Sequence, residues 1–95
     1  MKLRILELCK NKGITQKALA EQIGLSAVGL SKAINGNPTL STLEKIANAL
    51  GVDIVELFEA KREGFTALID HGGKLYRFDS IEALKGFISE VENNL

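Results

Sequence analysis

The sequence predicts a mainly α-helical protein, with five short helices over residues 1–62 and a β-hairpin plus one further helix over residues 63–95. Three observations carry this expectation. Apolar residues recur at three-four spacing, as in Leu40, Leu43, Ile46, Ala47 and Leu50. Helix-stopping glycines are followed closely by helix-capping hydroxyls, as in Gly24-Leu25-Ser26. Near Gly64 the apolar period shortens to two, and "FTALIDH", Gly72-Gly73 and "KLYRFD" read as two strands about a two-residue turn.

Residues 2–11 form the first predicted helix, with Ile5 and Leu8 inward and Gly13 ending it beside Lys10 and Lys12. Thr15 caps a second helix, Gln16 to Ile23, whose inward residues are Leu19, Ala20 and Ile23. Gly24 stops that helix in the left-handed conformation. Ser26 caps a third, Ala27 to Asn35, closed by Gly36, and Thr39 caps a fourth that Gly51 ends. "DIVE", Asp53 to Glu56, is a D-x-x-E form of the capping box and starts a short fifth helix.

Pairing across Gly72-Gly73 sets Ile69 opposite Tyr76 and Ala67 opposite Phe78. Phe65, Ala67, Ile69, Tyr76 and Phe78 then share one face, and Leu68 and Leu75 lie on the other. "DSIE", Asp79 to Glu82, is expected to form a second capping box. It opens a last helix on which Ile81, Leu84, Ile88, Val91 and Leu95 keep helical spacing.

At 95 residues and 45% hydrophobic content, the chain holds one domain, or one domain with a small appendage. The net charge is zero, but it is unevenly spread. Residues 1–62 carry nine Lys/Arg against six Asp/Glu, and residues 63–95 carry three against six. The first part can approach a polyanion and the second is repelled by one. The single cysteine, Cys9, excludes an internal disulfide and a cysteine-rich metal site.

His71 is expected to flank the turn, and Asp70 and Asp79 to be solvated or capping groups. Gly72-Gly73 leads from strand to strand, so it is no phosphate-binding loop. No residue set pairs a nucleophile with a base or gathers metal ligands. The expectation is therefore no catalytic residue, no metal and no cofactor. Glu7 interrupts the apolar N-terminal segment, and no apolar run nears the ~20 residues that span a bilayer, so a cytoplasmic protein without membrane contact is expected.

Two helices crossing at a tight turn need a very small residue at the crossing, a residue tolerant of positive φ in the turn, and an apolar lock on the second helix. With Gln16 as the first position, Ala20 is fifth, Gly24 ninth and Leu30 fifteenth, the positions a helix-turn-helix requires. "GITQKALAEQIGLS" followed by "NGNPTLSTLEKIANALGVDIVELF" resembles the Cro/lambda-repressor-like helix-turn-helix family over roughly residues 3–59. The resemblance implies a five-helix DNA-binding domain whose third helix reads the major groove. Residues 64–95 fall outside it.

On that helix, Ala27, Val28, Ser31, Lys32 and Asn35 share a broad arc, while Ser26, Leu30 and Ala33 fall on the opposite arc, toward the core. The resemblance implies base-facing roles for Ala27, Val28, Ser31 and Lys32. It implies DNA-backbone roles for Gln16, Lys17, Ser26, Asn35 and Asn37, aided by the helix N-termini at Gln16 and Leu40. Ala27 and Val28 have no hydrogen-bonding side chain but can touch a thymine methyl, and Lys32 can donate to guanine O6 or N7. The expectation is modest direct readout with a larger share from backbone contacts and DNA shape. Many family members carry Arg at the position of Cys9 and Glu at that of Ile34; here a matched apolar pair is expected to replace the ion pair.

A dimer suits a pseudo-palindromic operator whose half-sites lie ~34 Å apart. In a monomer the last helix can cover the hairpin face and pack on the helical domain; in a dimer two hairpins can pair into a four-stranded sheet, or two copies of the last helix can pack together. Residues 63–95 are the expected dimerisation extension, through Leu68, Leu75, Tyr76, Phe78, Ile88 and Val91. The function expected is a sequence-specific transcriptional regulator, a repressor binding double-stranded DNA as a homodimer. The alternative is an antitoxin-like module that holds a protein partner through residues 63–95.

Overall fold

Local capping chemistry sets the first half of the chain. In the computed structural model, which describes residues 3–36, 38–59 and 65–93, four α-helices come first: α1 (Ile5–Lys12), α2 (Gln16–Gln22), α3 (Ala27–Asn35) and α4 (Leu40–Leu50). Thr15, Ser26 and Thr39 cap α2, α3 and α4, their hydroxyls accepting the N–H of Ala18, Gly29 and Thr42. Gly13, Gly24 and Gly51 end α1, α2 and α4 with φ of 72°, 77° and 70°. Each ending has the same pair of backbone hydrogen bonds. At the α2 end the Leu25 N–H reaches the Ala20 carbonyl at 2.8 Å and the Gly24 N–H reaches Glu21 at 3.2 Å.

The fifth predicted helix is a 3-10 turn, η1 (Ile54–Leu57). Its D-x-x-E box forms, with the Glu56 carboxylate accepting the Asp53 N–H at 2.9 Å. Only four residues separate the Asp53 cap from Phe58, which pairs with Leu3 in an antiparallel bridge, so the chain takes the tighter i→i+3 bonding. The same bridge corrects the start of α1. Leu3 and Arg4 are not helical, because the Arg4 N–H donates to the Leu57 carbonyl at 2.7 Å.

The hairpin, β1 (Ala67–His71) and β2 (Lys74–Phe78), has the predicted register, with Ala67 opposite Phe78 and Ile69 opposite Tyr76. Gly72 and Gly73 supply the two positive φ values of its turn, 62° and 76°. The last helix, α5, spans Ile81–Asn93. Its cap is Ser80, not Asp79: the Ala83 N–H donates to Ser80 Oγ at 3.1 Å. The Asp79 carboxylate instead accepts from Arg77 Nε at 3.0 Å, which draws it back toward the strand. Leu95 and the stretch 60–64 lie outside the described residues.

One core serves both halves. Ile5, Leu19, Leu30, Leu43 and Ile46 are fully buried in the same cluster as Ala67, Ile69 and Leu84. Cys9 is in it, and Ile34 is half-buried against it, in line with an apolar replacement for the ion pair. α4 packs on β1, and α5 packs on β2 and η1. The Phe87 ring of α5 lies 4.8 Å from Tyr76 and 4.9 Å from Phe78. His71 is more than a turn-flanking residue, since its ring meets Phe87 edge-on at 5.8 Å. Of the residues expected between chains, Ile88 is buried, Tyr76, Phe78 and Val91 are half-buried, and Phe78, Ile88 and Val91 pack on this core within one chain. Leu68 is half-buried, and Leu75 remains 52% exposed on the hairpin's outer face.

Candidate nucleic-acid interface

The α2–α3 crossing follows from three residues. Ala20 is 1% exposed at the contact, which leaves room for the second helix, and Leu30 is fully buried. Gly24 supplies the left-handed turn between them, a conformation that costs a residue with a Cβ about 1–2 kcal/mol. With Leu30 facing inward, the opposite side of α3 faces solvent. Ala27, Val28, Lys32 and Asn35 are exposed there and Ser31 is half-buried, so all five lie on the predicted arc. Val28 is the most exposed large apolar side chain of the described residues, at 66%. The Asn35 amide donates to Ser31 Oγ at 3.3 Å, which ties those two polar groups together.

Two glycines shape α3. Gly29 is a poor helix former inside the helix, yet a Cβ there would lie 3.2 Å from Ser26 Oγ, pressing on the cap that starts α3. At Gly36 a Cβ would stand only 2.9 Å from the Lys32 carbonyl oxygen, the same oxygen that accepts the Gly36 N–H. A side chain at Gly36 would therefore push the chain away from the end of α3. Asn37, expected at the DNA backbone, lies outside the described residues.

Of the expected backbone-contacting residues, Gln16, Lys17 and Ser26 lie at helix starts and Asn35 closes α3. Gln16 is half-buried and Lys17 exposed in the first turn of α2. Ser26, expected toward the core, is exposed instead, because as the cap it has extended backbone angles that helical periodicity does not govern; its oxygen accepts from Gly29, and its hydroxyl proton remains free to donate to a phosphate. At the start of α4, Thr39 Oγ1 and Thr42 Oγ1 are 2.9 Å apart beside the open N–H groups of the first turn. Two features went unread in the sequence. Leu25, 36% exposed, sits in the turn ahead of α3 where no periodicity marks its direction. The Thr39–Thr42 pair is visible as T-x-x-T, a pattern that marks the cap but not the contact between the two hydroxyls.

The surface between η1 and α5 has a different character. A groove of about 450 Å³ between η1 and α5 is floored by Ile54, Val55 and Ile88 and rimmed by Asp53, Glu56 and Glu92 with Lys85. Its carboxylates disfavour a polyanion. Burial pushes the Cys9 thiol up, away from the reactive thiolate. Among the described residues, no group of three or more His, Cys, Asp or Glu is placed to hold a metal, and no helix is long and apolar enough to cross a membrane.

A helix-turn-helix family model matches residues 5–57, from the start of α1 to the end of η1. No curated protein and no solved structure gives a significant match.

Proposed function

The chain belongs to the Cro/lambda-repressor-like helix-turn-helix family and is a DNA-binding regulator of that type; from this premise we propose that it represses transcription by binding a pseudo-palindromic operator as a homodimer. The observation that carries the reading is the solvent face of α3, where Val28, at 66% exposure, stands beside Lys32 opposite the buried Leu30. Ala27 and Val28 contact thymine methyls, and Lys32 donates to a guanine edge or a phosphate, with Ser31 at their centre. Gln16, Lys17, Ser26 and Asn35 hold phosphates on either side, and these contacts fix the register of α3 in the groove. A surface so poor in donors takes much of its specificity from groove shape. A dimer on a promoter excludes polymerase sterically.

Residues 1–62 are in this reading the DNA-binding part, and residues 63–95 supply the contact between protomers. Enrichment of a random duplex library by the full chain, at low and at near-physiological salt, tests it. A palindromic motif that survives the higher salt is the expected result. Binding that disappears with salt and enriches no motif would leave phosphate contact alone, and the α3 face would then belong to a protein partner. Lys32→Glu with Gln16→Ala is expected to abolish DNA binding. It would leave untouched a partner held through the hairpin, as in an antitoxin-like protein.

A further inference from the structure

The hairpin has two edges, and they differ. The outer edge of β1 is occupied: the Asp70 N–H donates to the Pro38 carbonyl at 3.0 Å, and Thr39 and Asp70 form a parallel bridge. That bond also fixes the polarity of the other edge. Because the Asp70 N–H points away from β2, Asp70 and its opposite residue Leu75 form a non-hydrogen-bonded pair. The N–H and C=O of Leu75 therefore point outward from β2, and those of Arg77, two residues on, do the same. On the outer face above that edge, the Leu75 side chain is 52% exposed and that of Arg77 is 68% exposed.

We propose that the β2 edge pairs antiparallel with the β2 edge of a second copy, centred on Tyr76, so that Leu75 of each protomer stands opposite Arg77 of the other. This inference rests on the homodimer reading above and names its interface. Three features select the register. It uses both outward-facing residues of each strand, giving about four inter-chain backbone bonds. It lays the alkyl stem of Arg77 over the partner's exposed Leu75. Centring instead on Arg77 would set two guanidinium groups opposite one another, and centring on Leu75 would run Arg77 against the turn glycine Gly73. An open β edge is a template for another strand, and this one is complementary to itself.

The pairing has a geometric consequence at the DNA face. The 38–39 segment follows α3 and starts α4, and it is the outermost row on β1. In the dimer the rows run 38–39, β1, β2, then the partner's β2, β1 and 38–39. Five inter-strand gaps of about 4.8 Å place the two 38–39 segments roughly 24 Å apart. Each α3 ends three residues before its own Pro38, so this separation bears on the spacing of the two reading helices. The sheet thus acts as the spacer between the two reading helices.

The test mixes two variants of the full chain that each carry one added cysteine, Leu75→Cys and Arg77→Cys. The native Cys9 is 3% exposed and stays out of the reaction. Under mild oxidation, the mixture is expected to form covalent dimers at least tenfold faster than either variant alone, because only 75 and 77 of different chains face each other. Sedimentation equilibrium of the wild type is run beside it. A dimer whose mixed variants cross-link no faster than the single ones overturns the edge pairing and leaves the dimer reading standing. A monomer at all concentrations overturns both and leaves the β2 edge to a strand from another protein.

Discussion

Residues 3–59 and residues 65–93 are built by different means. The first region is a chain of local devices: each of α2, α3 and α4 starts on a hydroxyl three residues from the N–H it caps, and α1, α2 and α4 end on a left-handed glycine. The second region rests on contacts between elements, such as Phe87 on Tyr76 and Phe78, and Asp70 on Pro38. Charge divides the chain near residue 62, and the family match stops at residue 57, but burial does not divide it. Ala67, Ile69 and Leu84 sit in the same core as Leu30 and Leu43. A boundary drawn from charge and motif therefore does not coincide with a boundary in the packing.

The largest expected effect tests that unity. Leu30→Ala and Ile69→Ala should each lower stability by about 2–5 kcal/mol, with one cooperative thermal transition in circular dichroism for both. If Ile69→Ala instead splits the melt in two, the hairpin is an independent appendage. The two regions should separate when DNA is the readout. Lys32→Ala is expected to weaken operator binding and reduce the salt slope by about one, whereas Lys85→Ala, beside the acidic groove, should change neither in a fluorescence-anisotropy titration.

A cap and a turn give the next comparison. Ser26→Ala should cost about 1 kcal/mol in urea unfolding through loss of the α3 cap, and Gly73→Val about 1–2 kcal/mol through its φ of 76°. Asp79→Asn removes an ion pair whose partners are 68% and 73% exposed, so its effect should stay within about 0.5 kcal/mol. The pH dependence assigned to Cys9 has a definite sign. The folded thiol holds its proton more tightly than the unfolded one. Its contribution is complete below the ordinary thiol range and is lost as pH rises through the folded value. Cys9→Ala should flatten that alkaline decline in a series of melts.

Legibility in the sequence follows the same division. The caps at Thr15, Ser26 and Thr39, the bounds of α3 and the hairpin register were readable because each depends on residues a few positions apart. The α3 arc was readable for the same reason: helical periodicity alone sets Leu30 inward and Val28 outward. Whatever depends on a distant partner was not. Nothing near Leu3 announces that Phe58 will pair with it and delay α1 to Ile5. His71 has no local sign of Phe87, and "DSIE" offers two caps, between which the Arg77 contact of Asp79 decides for Ser80. The apolar faces of β2 and α5 were visible, but periodicity does not say that they meet within one chain.

The bond from Asp70 to Pro38 also makes one amide a reporter on the whole molecule. Its acceptor lies in the segment between α3 and α4, and its donor lies in a strand far along the chain. Local fraying of a helix end leaves it closed, whereas separation of the hairpin from the helices opens it to solvent. In hydrogen-exchange measurements the Asp70 amide should therefore be protected to the level of the slowest core amides of α4. It should also exchange in step with them as denaturant is added.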